Sequence, residues 1–80
     1  MDEIEIVQRI GQLVEDEHAL EGAHAGAPPS DEDVAQLRSI EVALDQCWDL
    51  LRQRRARREA GQNPNEATVR PERVVERYQQ

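Results

Sequence analysis

The run Gly22-Ala23-His24-Ala25-Gly26-Ala27-Pro28-Pro29 limits what this chain can fold into more than any other stretch. Two glycines and a proline pair cannot continue a helix, because glycine costs backbone entropy and proline lacks an amide donor. On either side of this break, apolar residues recur at helical spacing without an internal proline. In residues 2–21, Ile6, Ile10, Leu13 and Leu20 share a seam with Glu3 and Glu17, and His24 extends it; Val7, Val14 and Glu21 widen it. In residues 31–60, Leu37, Ile40, Leu44, Cys47 and Leu51 form a second seam that Arg54 and Arg58 continue; Val34, Glu41, Trp48 and Arg55 widen it. The spacing therefore predicts two helices, about 2–21 and 31–60, packed as an all-α antiparallel hairpin.

The ends of these helices are marked. Asp2 can cap the first, and Glu3 and Glu5 suit its positive end. Ser30 can cap the second by accepting from the Asp33 amide, with Asp31, Glu32 and Asp33 in the first turn. Gly61 is its expected stop. Residues 1–61 thus read as the hairpin and 62–80 as a C-terminal appendage. In the latter, Asn63-Pro64-Asn65-Glu66 predicts a turn capped by Asn63, and Thr68–Arg70 is expected to be extended because Arg70 precedes Pro71. Pro71 to about Tyr78 is expected to form a short helix with Val74, Val75 and Tyr78 as its apolar face. Alone, so short a helix would not be stable.

Pairing through the break sets Leu20 beside Val34, Leu13 beside Ile40, Ile10 near Leu44, Ile6 near Cys47 and Asp2 near Leu50. At 1.5 Å per residue the helices are roughly 30 and 45 Å long, so the second outruns the first over Arg52–Arg58. Both seams are wider than one helix–helix contact needs, and 80 residues give a small core. Charge is polarised: residues 1–33 sum to −9 and residues 34–80 to +2. Two hairpins laid antiparallel would set each Arg-rich end against the other's acidic turn, which predicts a homodimeric four-helix bundle. The competing solution is internal: the tail folds back, Glu66, Glu72 and Glu76 meet the Arg end, and Val74, Val75 and Tyr78 cap Trp48 and Leu51.

The single Cys excludes an internal disulfide, and no apolar run approaches the roughly 20 residues of a membrane span. With a charged, acidic beginning unlike a signal peptide, these features predict a cytoplasmic protein. Cys47 falls between Leu44 and Leu51 and reads as a buried small hydrophobe rather than a nucleophile. No phosphate loop, nucleophile elbow or paired-carboxylate cleft is visible, so no enzymatic activity and no cofactor are expected.

Three binding readings remain. Arg52, Arg54, Arg55 and Arg58, with Trp48, could take a protein partner; Arg52–Arg58 could instead meet nucleic-acid phosphates, although interleaved aromatics and a groove-reading motif are missing and the total charge is −7. Against both stands a solvated helix end whose arginines complement the helix dipole and pair with nearby acids. The third reading is a metal site. Glu15–His18 and Glu21–His24 both have Glu-x-x-His spacing, with Glu41 as a further carboxylate. The two pairs point to different faces, and Gly22 and Gly26 unwind the second. Glu17, His18, Glu21, His24 and Glu41 therefore read as a polar network at the seam rather than a metal site, with Glu17 held by an arginine of the facing helix.

The run Leu44-Asp45-Gln46-Cys47-Trp48-Asp49-Leu50-Leu51-Arg52-Gln53-Arg54-Arg55-Ala56, with Glu59-Ala60-Gly61, Val69-Arg70-Pro71 and the Glu15–His18 stretch, resembles a family of short uncharacterised actinobacterial proteins, a domain of unknown function. The resemblance covers nearly the whole chain. It implies a cytoplasmic, all-helical small protein and carries no activity over. The family's motifs fall on Glu17, His18, Gln46, Trp48, Asp49, Arg52, Arg54 and Arg55, which suits a buried polar network as well as a binding site.

Overall fold

A computed structural model describes residues 1–23 and 26–75. Two long helices, α1 (Glu3–Gly22) and α2 (Asp31–Glu59), are followed by a 3-10 turn (Pro64–Glu66) and a short helix, α3 (Glu72–Val75). The described residues contain no strand. The chain is all-helical, and its long helices start and stop within a residue of the expected positions.

Local chemistry accounts for those ends. At α1 the Glu5 amide donates to the Asp2 carboxylate at 2.8 Å while the Glu5 side chain accepts from the Asp2 amide at 3.3 Å. The Asp33 amide donates to Ser30 Oγ at 3.2 Å and the Ser30 amide donates back to the Asp33 carboxylate at 3.1 Å. Both are reciprocal capping boxes, which satisfy otherwise orphaned amides. α2 ends in a Schellman motif: the Gln62 amide donates to the Arg57 carbonyl at 2.7 Å and the Gly61 amide to the Arg58 carbonyl at 3.1 Å. Gly61 has φ +74°, which an L side chain would adopt only with strain. Asn63 caps the 3-10 turn by accepting from the Asn65 amide at 2.9 Å, as its sequence predicted.

Ile6, Ile10 and Leu50 form the centre of the core, with Val14, Leu44, Cys47, Leu51 and Ala67 packed against it. Leu13 and Val75 are also buried. Each large aliphatic side chain fully removed from water contributes about 1.5–3 kcal/mol, so a core of this size leaves little margin. Leu13 and Ile40, expected side by side, line the same groove, and Ile6, Ile10, Leu44 and Cys47, expected to meet, share one cluster. The Met1 carbonyl accepts from Arg54 at 3.1 Å, which ties the start of the chain to the C-terminal part of α2. Val34, expected beside Leu20, is exposed.

The tail folds back along α2 instead of projecting from its end. Glu66 pairs with Arg57 at 3.4 Å, and Glu72 pairs with Arg38 near the other end of the helix. The sequence placed Glu72 at the Arg end; the extended segment from Ala67 to Pro71 carries it well past that end instead. Glu76 and Tyr78 lie outside the described residues. No helix among the described residues is long and apolar enough to cross a membrane.

Candidate functional site

The tail is fastened by a ladder of polar contacts centred on Asp49. This residue is fully buried, and its carboxylate takes a two-pronged contact from Arg70: Nε donates to Oδ2 at 2.9 Å and Nη2 to Oδ1 at 2.5 Å. Gln53 donates to the same carboxylate at 2.9 Å and to the Thr68 carbonyl at 2.7 Å. Gln46 donates to the Arg70 carbonyl at 3.2 Å. Positions 46, 49 and 53 recur at three and four residues, so one stripe of α2 reads the extended backbone of the tail. Burial pushes the Asp49 carboxyl upward, but the hydrogen bonds from Arg70 and Gln53 and the charges of Arg70 and Arg52 outweigh it, leaving the group below the ordinary aspartate range.

The Arg-rich end divides into separate roles. Arg54 is 7% exposed, and its Nη1 donates to the Met1 carbonyl at 3.1 Å, the Pro64 carbonyl at 3.2 Å and Asn65 Oδ1 at 3.1 Å. It thereby joins the start of the chain, the end of α2 and the 3-10 turn. Arg58 pairs with Glu3. These are the two arginines that continue the seam; the chain itself covers Arg54, while Arg58 stays half-exposed beside Glu3. Arg52 and Arg55 are exposed.

Trp48 is 51% exposed, Ile4 69% and Val7 57%. Helical geometry puts them on one flank. Arg9, Asp16 and Ser39 line a single groove of about 680 Å³ between the helices. Val7 and Val14 lie roughly 160° around α1 from Arg9 and Asp16 respectively, and Trp48 roughly 180° around α2 from Ser39. The Trp48 flank is therefore opposite the groove, and Gln46 and Gln53, which hold the tail, lie roughly 140–160° from Trp48. The expected capping of Trp48 by the tail is not what the described residues show, because the tail's contacts run along the other side of α2. Along the Trp48 flank, Leu37, Glu41, Leu44, Trp48, Leu51 and Arg55 recur at four and three residues.

The remaining candidates are scattered. Glu15, His18, Glu21 and Glu41 are exposed, Glu17 is half-buried, and His24 lies outside the described residues. Among the described residues, no three His, Cys, Asp or Glu side chains are grouped to hold a metal. Cys47 is half-buried, and burial pushes its thiol up, opposed by the charge of Arg9, which disfavours the nucleophilic thiolate.

Sequence spacing did not reveal the pairing of Asp49 with Arg70. One signal was present: Asp49 sits in a family-like motif off the main seam, and Arg70 is held extended by the following proline.

The sequence pattern of a family described as "Protein of unknown function (DUF2630)" matches residues 2–80. Uncharacterised proteins of Mycobacterium bovis and of two strains of Mycobacterium tuberculosis are each 53% identical to this chain over 76 residues, covering 92% of it and 86% of their own length. No solved structure matches. The chain belongs to this family of unknown function.

Proposed function

We propose that this DUF2630 family member is a non-catalytic protein-interaction module of the cytoplasm, and that its docking surface is the Trp48 flank, occupied first by a second copy of the chain. The observation that carries this reading is the half-exposed Trp48 on a flank shared with Ile4 and Val7, in a chain whose own tail is fastened to the other side. Large exposed aromatic and aliphatic side chains that line up across two elements characterise association surfaces, and tryptophan and arginine are the side chains most often found at their energetic centres.

Charge supports self-pairing. The turn end carries Glu15, Asp16, Glu17, Glu21, Asp31, Glu32 and Asp33, while Arg52 and Arg55 lie at the opposite end, beside Trp48. A two-fold antiparallel pairing lays each Arg52–Arg55 edge over the partner's acidic turn and closes a four-helix bundle. Arg52 and Arg55 form the contact set with Trp48, whereas Arg54 braces the fold beneath it and Arg58 pairs with Glu3.

The test is the mass of the native chain and of Trp48→Glu by size-exclusion with light scattering, with helix content followed by circular dichroism. The reading expects a wild-type mass of twice 9.2 kDa and a Trp48→Glu monomer of unchanged helicity. A wild-type monomer, or a variant that stays dimeric, removes the flank from the account.

A further inference from the structure

The groove between α1 and α2 lies opposite the Trp48 flank, so a molecule held there leaves that flank free. Its volume of about 680 Å³ falls within the roughly 300–1,000 Å³ of small-molecule sites, which occur between the helices of bundles. The apolar lining is Leu13, Leu20 and Ile40, with Ala19, Ala23 and Ala43, whose single methyl groups leave the space open. Polar side chains are few there, and Arg9 stands at the end farthest from the interhelical turn. Among the described residues, no hydrogen bond or ion pair holds the Arg9 guanidinium. Glu5, one turn before it, is engaged in the Asp2 cap. Asp16 lies roughly 10 Å further along α1 and accepts from Gln12. The Arg9 charge acts across the helix interface on the Cys47 thiol.

We infer that this groove binds an amphipathic carboxylate, with its head on Arg9 and an unbranched acyl chain laid over Leu13, Ile40 and Leu20. A planar guanidinium fork matches the paired oxygens of a carboxylate. Removing the chain's methylene groups from water against the aliphatic lining supplies the driving force. From Arg9 to Leu20 the groove runs roughly 16 Å along α1, which accommodates an extended acyl chain of medium length. Charge fixes the orientation. Arg9 is the one cation among the described lining residues, while Asp16 and the acidic turn beyond it repel a carboxylate from the other end.

The experiment titrates the full chain with decanoate below its micelle concentration, and separately with decanol and with the shorter hexanoate, following methyl resonances by NMR. Saturable shifts are expected at Leu13, Leu20 and Ile40 with decanoate, while Ile4 and Val7 on the Trp48 flank stay unmoved. Decanol, which lacks the charge, should bind about fivefold more weakly. Hexanoate should bind at least about tenfold more weakly, because fewer methylene groups are buried. Arg9→Gln should weaken decanoate about fivefold. Arg73→Gln, which removes an exposed charge outside the groove, should leave binding within about twofold, because distant surface charges act weakly through salt. The absence of saturation, shifts that favour Ile4 and Val7, or equal binding of decanoate and decanol overturns the site. So does a loss in Arg73→Gln equal to that in Arg9→Gln. Methyl shifts that follow protein concentration without ligand would give the groove to a second copy. Contacts from Tyr78 to these methyls in the free chain would give it to the chain's own end. Either result also overturns the site.

Discussion

Arg70 grips the Asp49 carboxylate with Nε at 2.9 Å and Nη2 at 2.5 Å, and that carboxylate is wholly shielded from water while the arginine side chain stays 36% exposed. The two residues are 21 positions apart, and their contact decides where the tail lies. An ionised carboxylate without solvent is tolerated only when its oxygens are occupied, so the fold depends on Arg70 being delivered to this point. Gln46 and Gln53 set the backbone around it.

Arg70→Gln should therefore destabilise the chain by about 2–3 kcal/mol, below the full cost of orphaning a buried charge because the arginine is partly open to solvent. Urea unfolding measures this, and hydrogen exchange should show lost protection at Val74 and Val75, whose amides bond to the Pro71 carbonyl. Replacing both partners, as in Asp49→Leu with Arg70→Met, should recover a large part of the loss, since no charge is then left buried.

The same pair predicts an acid limb in stability. The Asp49 carboxyl titrates lower in the folded chain than in the unfolded one. Its contribution is fully present above the unfolded aspartate value of about 3.9 and is lost as pH falls through the lower folded value. Urea midpoints measured from neutral pH downward should hold until that range and then drop. In Arg70→Gln the part of the drop due to Asp49 should be smaller.

Adjacent arginines should behave oppositely. Arg54→Ala removes the donor that joins Met1, Pro64 and Asn65 and should cost about 2 kcal/mol or more. Arg55→Ala, on an exposed position, should change stability by no more than about 0.5 kcal/mol. Thermal unfolding of the two variants side by side measures the contrast; equal effects would contradict the division of the Arg-rich end into bracing and surface residues.

Much of this fold was legible because local chemistry wrote it. The Gly-Pro break, the Asp2 and Ser30 caps, the Gly61 stop and the Asn63-Pro64 turn all act within five residues of themselves, so each is legible in the sequence. The extension of the seam into Arg54 and Arg58 was legible too, as arginines on a packing face that something must cover. Arg58 stays half-exposed beside Glu3, and what covers Arg54 was not legible. The answer depends on Met1 and Asn65, whose backbone and side-chain oxygens carry no periodic signal. The path of the tail was hidden for a related reason: Glu66 and Glu72 look equivalent as acids near arginines, yet the extended segment between them separates their partners, Arg57 and Arg38, along α2. The exposure of Trp48 follows from that path, since a tail held by Gln46, Asp49 and Gln53 runs along the other side of the helix.

Sedimentation equilibrium of the unmodified chain across micromolar concentrations, with Trp48 emission recorded on the same samples, decides whether the chain pairs through the Trp48 flank. The account predicts a species of twice 9.2 kDa whose tryptophan emission lies to the blue of the dissociated chain, because pairing removes the indole from water. A single 9.2 kDa species throughout, with emission that stays at the solvent-exposed position, would contradict it.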